Sequence, residues 1–187
     1  MNEAFWALGR GTGIVALVMF TIALVLGIAT RSGRSVGGLG RFGVADVHRT
    51  AALTGTGLVA VHVGSLFLDP FAQLHLIDVL FPFLGGYRPL YLGLGTLAVD
   101  LLAVVTVVSL LRQRVGPRVF RAVHWLTYLL WPVALVHALG TGTDAGSVWM
   151  TGLAATCFAA VTAAVGWRLL PSYGDRGRTR TPRKVSR

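Results

Sequence analysis

Five apolar runs organise the chain: residues 11–30, 47–68, 89–111, 119–139 and 147–170. Each reaches the roughly 17–25 residues that one α-helix needs to cross the hydrocarbon core of a bilayer. Buried in lipid, such runs must satisfy every backbone N–H and C=O internally, which leaves helices as the form for uninterrupted stretches of this length. The pattern predicts an all-α integral membrane bundle of five transmembrane helices. The first run lacks the charged start of a signal peptide, so it is read as part of the mature protein.

Composition agrees with the pattern: 54% of the 187 residues are hydrophobic and the mean hydropathy is +0.68. The net charge of +10 changes the picture through its distribution. Arg31, Arg34, Arg41 and Arg49 flank the first two runs on one side, and Arg112, Arg114, Arg118 and Arg121 lie between the third and fourth. Arg168 and the six basic residues after it follow the fifth run, which places 15 of the 17 Lys and Arg on one side of the membrane. The other side holds Arg10 and Arg88 among Glu3, Asp69, Asp78 and Asp144. By the positive-inside rule the N-terminus is outside and the C-terminus cytoplasmic, as for a multi-pass protein of the cell membrane. The basic residues form no folded face for nucleic acid, so a nucleic-acid partner is not expected. Cys157 is the single cysteine, so the chain can form no internal disulfide or thiolate cluster.

The connecting segments differ in character. Residues 31–46, rich in glycine, read as a flexible cytoplasmic loop. Residues 69–88 are half apolar yet too short to cross, and read as a surface helix or a lid at the outer side. The domain reading is a membrane domain over 1–170 and a basic, disordered cytoplasmic tail over 171–187, resting on anionic lipid head groups.

Against this apolar background the histidines stand out, because an ionisable ring inside a membrane is a functional-site candidate. His48 and His62 lie in the second run, fourteen residues apart, and His124 and His137 in the fourth, thirteen apart. Fourteen residues of helix rise roughly 21 Å and return within about 40° of the starting face, so His48 and His62 share a face near opposite membrane edges. The predicted topology runs the second and fourth helices in the same direction, which sets His48 level with His124 and His62 level with His137. Neutral imidazoles on opposite faces of an iron give a closed, electron-transfer centre, so two stacked bis-histidine sites with two b-type hemes are the natural reading. A non-redox membrane protein, such as a histidine-lined metal transporter, is the alternative from another class. Thirteen residues return at roughly 220°, off the common face, so a kink is expected at Pro132 to bring His124 and His137 round.

Other residues take roles around this constellation. Gly55 and Gly57 admit either a flat macrocycle or a neighbouring helix. Trp125, Tyr128 and Trp131 fill the bundle or lie against the hemes. Arg49, Arg121 and Arg88 stand at the membrane edges, where heme propionates would need cations. Asp100, near the middle of the third run, is expected to hydrogen-bond to Tyr128 or Thr127, and His75 to be a surface residue.

The stretches "DVHRTAALTGTGLVAVH" and "RAVHWLTYLLWPVALVH", with "YRPLYLGLGTLAVDLL" between them, resemble the ferric reductase-like transmembrane domain. That superfamily includes NADPH oxidases, iron reductases and the heme subunit of periplasmic methionine sulfoxide reductase, and the third stretch is similar to its bacterial members. The resemblance covers about residues 40–145. It implies a stand-alone oxidoreductase subunit with heme pairs His48–His124 and His62–His137. It implies also a separate flavoprotein reductase or quinol as donor, and an extracytoplasmic flavin-binding protein or other acceptor. The chain has no dinucleotide fingerprint of its own, so flavin and nicotinamide are expected on another polypeptide.

Overall fold

The apolar runs fold as helices that overrun the hydrocarbon-length stretches at their polar ends. The computed structural model describes residues 2–33, 35–70, 72 and 74–173. Helix α1 spans Asn2–Ser32 and α2 spans Arg41–Leu68, beginning six residues before the predicted start because the helix continues into the polar edge. Between them Val36 and Leu39 pair around Gly37 and Gly38 (φ 58° and 79°), the left-handed pair that a tight hairpin turn needs. Among the described residues of 69–88 there is a short helix, α3 (Leu76–Leu80), followed by α4 (Pro89–Leu110) with proline in its first turn. Then come α5 (Arg112–His124), α6 (Thr127–Thr141) and α7 (Val148–Leu169), whose start is capped by the Ser147 hydroxyl accepting from Met150 N–H. Four helices are individually long and apolar enough to cross a membrane, and α5 with α6, bent by 47°, supplies a fifth if the pair is one span.

That bend falls at Trp125–Leu126, seven residues before the expected site at Pro132. There the backbone tightens to i→i−3 bonds, with Leu126 N–H on Val123 O (2.9 Å) and Tyr128 N–H on Trp125 O (3.1 Å). Pro132 lies inside α6, in its second turn, without ending it. The tight turn and the bend re-aim α6 relative to α5.

The core sits where α1, α6 and α7 meet, around Leu17, Leu24, Trp131, Leu135, Ala154, Cys157 and Val161. The Trp131 indole N–H donates to the Thr21 hydroxyl at 2.9 Å, so the largest core residue leaves no polar atom unmatched. Around this core α2 packs along α1 and α4 packs along α6, while α2 and α6 are not among the closely packed pairs. Contacts pin both ends. At the end carrying Arg10, its guanidinium pairs with Asp144 and lies 4.8 Å from the Trp6 ring and 5.9 Å from that of Trp149. At the other end Arg168 donates to the Tyr128 hydroxyl, and the Tyr173 hydroxyl donates to Ile28 O. Tyr173 is buried within a 3₁₀ turn, Pro171–Tyr173, so the folded part runs past the predicted boundary at 170. The disorder expected of the tail concerns residues 174–187, which lie outside the described residues.

Candidate functional site

The four histidines of the apolar runs meet as two pairs, His48 of α2 with His124 at the end of α5 and His62 of α2 with His137 of α6. His48 faces His124 with ring centres 6.2 Å apart and planes at 78°. His62 faces His137 with centres 6.4 Å apart and planes at 81°. The first pair lies at the end with most of the basic residues, the second at the end of Arg10 and Arg88.

Three of the rings are fixed by one repeated device. His62 Nδ1–H donates to Gly9 O (2.6 Å), His48 Nδ1–H to Ala23 O (2.7 Å) and His137 Nδ1–H to Tyr91 O (2.8 Å). A carbonyl can only accept, so in each ring Nδ1 carries the proton and Nε2 keeps its lone pair. Each carbonyl belongs to a helix and already accepts from the backbone four residues on; a side chain at that later residue would cover it. Those residues are Gly13, Gly27 and Gly95. A Cβ at Gly13 would come within 2.9 Å of His62 Nδ1 and one at Gly27 within 3.1 Å of His48 Cε1, while one at Gly95 would collide with His137. At Gly13 and Gly95 a side chain would force the imidazole away from the backbone, and at Gly27 the ring would have to give by a few tenths of an ångström. The sequence carries a trace of the arrangement, since Gly13 and Gly27 on α1 are fourteen apart, like His48 and His62 on the antiparallel α2. Their partners lie on another helix, so spacing within one run did not reveal them.

His124 departs from this scheme. Its Nδ1 is buried and has no hydrogen-bond partner among the described residues, and its ring stacks on Phe120 (5.2 Å, 23°). The carrier helix α5 is interrupted at Gly116 (φ 77°) and ends at His124, immediately before the bend.

The remaining candidates are distributed less tightly. Arg49, next to His48, and Arg121, three residues before His124, are exposed at the basic end, and Arg121 Nε donates to Pro117 O of its own helix (3.0 Å). Arg88 stands at the other end, its backbone left-handed (φ 39°), and donates to Gly140 O at the close of α6. Gly55 receives the Phe20 ring of α1, which makes it a helix-packing position, whereas Gly57 faces open space. Asp100 is half-buried, and among the described residues no hydrogen bond joins it to either expected partner: the Thr127 hydroxyl donates to His124 O, and the Tyr128 hydroxyl meets Arg168. His75 is exposed and lies 3.5 Å from Asp78, whose carboxylate accepts from His75 N–H as a helix cap. Asp78 itself is buried, and its carbonyl accepts from the Thr96 hydroxyl, which ties α3 to α4.

A family model, ferric reductase like transmembrane component, matches residues 12–135. The match takes in His48, His62 and His124 and stops two residues before His137. No curated protein and no solved structure matches the chain. The family match covers about two-thirds of the length and three of the four paired histidines, and on it the chain belongs to the ferric reductase like transmembrane family.

Proposed function

We propose that the chain is a di-heme b-type cytochrome of the cell membrane, with His48 and His124 holding one heme and His62 and His137 the other. The observation that carries this reading is the separation of the facing rings. A metal–imidazole bond is about 2 Å and the ring centre lies about 1.1 Å behind the ligating nitrogen, so two imidazoles on opposite sides of one metal have centres about 6.3 Å apart. The two pairs stand at 6.2 and 6.4 Å. Three Nδ1–H groups are held by carbonyls, which leaves Nε2 as the ligating atom. The alternative of a histidine-lined metal transporter has less support: among the described residues no group of three His, Cys, Asp or Glu converges, whereas a zinc ion, for instance, takes three or four protein ligands.

When bound, heme supplies a one-electron carrier closed to other ligands by its two histidines. The chain's own residues hold the rings, exclude water and provide cations, Arg49 and Arg121 at one site and Arg88 at the other, for the propionates. With the basic end cytoplasmic, electrons enter from a separate flavoprotein or a quinol and leave to an extracytoplasmic acceptor such as a flavin-binding protein. Purified protein is expected to be red and to hold two b hemes per chain. His48→Ala or His124→Ala should halve the heme content and leave the other site's spectrum. Colourless protein, or either variant retaining two hemes, would overturn the assignment.

A further inference from the structure

We propose that the two sites are electrochemically unequal, the heme between His48 and His124 having the higher midpoint potential; this rests on the di-heme reading above. The first observation is the missing acceptor at His124. A hydrogen bond from Nδ1–H to a carbonyl makes an imidazole a stronger electron donor, which favours the oxidised iron and lowers the potential. His48, His62 and His137 each have that bond, and the buried Nδ1 of His124 has none among the described residues. The outer pair is therefore supported on both sides, the other pair on one.

The sequence contains the cause. The device that serves the other three rings is a helix carbonyl with glycine four residues later: Gly9 with Gly13, Ala23 with Gly27, Tyr91 with Gly95. Helix α4 supplies it for His137 and runs antiparallel to α6. After Gly95, α4 has no further glycine before its end at Leu110, so the carbonyl-with-glycine device is not repeated on α4 toward the His124 level.

Charge acts in the same direction. Arg49 and Arg121 neighbour the ligands of the first site, and Arg112, Arg114, Arg118 and Arg168 gather at the same end. Positive charge favours the reduced iron, most strongly where low-dielectric surroundings screen it little. At the other end Arg10 is offset by Asp144, Arg88 is the remaining cation, and Glu3, Asp69 and Asp78 are close in sequence to the same helix ends, whereas Asp46 is the one carboxylate in the sequence neighbourhood of His48. The device retains an electron at the basic end until an acceptor withdraws it. With that end cytoplasmic, a membrane potential negative inside drives the outward transfer that the heme potentials oppose.

The test is spectroelectrochemical titration of the heme-loaded protein. His62→Ala, which retains the His48–His124 heme, should titrate at a more positive potential than His48→Ala, which retains the other. In the otherwise wild-type chain, Arg49→Gln with Arg121→Gln should move the higher of the two waves to more negative potential and leave the lower wave in place. This second arm decides the matter if a single-site variant fails to fold. The reverse order, coincident midpoints, or movement of the lower wave would overturn the proposal while leaving two hemes in the protein. Absence of heme from the wild-type preparation would overturn the di-heme reading beneath it.

Discussion

An imidazole in hydrocarbon is costly unless its polar atoms are used, and glycines on neighbouring helices decide whether they can be. Gly13 is the clearest case, because its missing side chain lets His62 reach Gly9 O. Gly13→Val is expected to push the ring off the carbonyl, forfeiting a bond of about 1 kcal/mol and misdirecting Nε2. Heme content should fall from two toward one per chain, with the His48–His124 heme retained; two hemes with unchanged spectra would refute this role. The histidines themselves were legible from sequence, because ionisable groups in apolar runs are conspicuous. The glycines that seat them were not. Gly13 lies in an ordinary apolar run, and its use depends on a ring from α2. Asp100 shows the same limit, since the run gave no sign that the Thr127 hydroxyl turns to His124 O and the Tyr128 hydroxyl meets Arg168.

Helices were readable wherever a run was long and apolar, and their breaks were harder to place. Proline in a predicted helix signals a kink, yet α6 passes Pro132 and the chain bends at Trp125–Leu126, where no proline or glycine marks it. Tertiary demand is the physical reason: His124 must face α2 from a helix that packs on α4, while α6 packs on both α4 and α1. Propensity contains neither requirement. Because the bend is set by packing, Pro132→Ala should restore a backbone donor without straightening the span. Its thermal stability is expected within about 1 kcal/mol of the parent, with both hemes retained. Loss of a heme in this variant would return the re-aiming of His137 to Pro132. The segment 69–88 illustrates the same limit. Its half-apolar composition announced a surface element, but the buried position of Asp78 and its tie to Thr96 depend on α4 lying alongside.

At the scale of the molecule, the segregation of basic residues to the end that carries His48 and His124 is the basis for the proposed orientation, with that end cytoplasmic. Cysteine placed at Gly40, exposed at that end, should react with an impermeant thiol reagent only from the cytoplasmic side, and cysteine at Gly86 only from outside. Cys157 is buried and should stay silent. Reaction of both new thiols from one face would break the five-span topology. The same distribution of residues bears on the source of electrons. A dinucleotide site of the doubly wound kind needs a parallel sheet whose strand ends lead into helix N-termini. The described residues form helices, with one isolated bridge at Val36–Leu39, and the connection between α4 and α5 is a single residue, Leu111. Among the described residues the basic end presents helices and short connections rather than such a sheet, which is the ground for proposing a separate donor. Heme-loaded protein of this sequence should be reduced by dithionite and not by NADPH or NADH, and reduction by the nicotinamides should appear when a flavoprotein reductase is added. A quinol should reduce it directly if the donor site lies at the bilayer edge. Anaerobic mixing with NADPH, followed at the heme bands, gives the answer within one experiment. Rapid reduction without a second protein would mean that the chain itself binds the nicotinamide, and the separate-donor reading would fall.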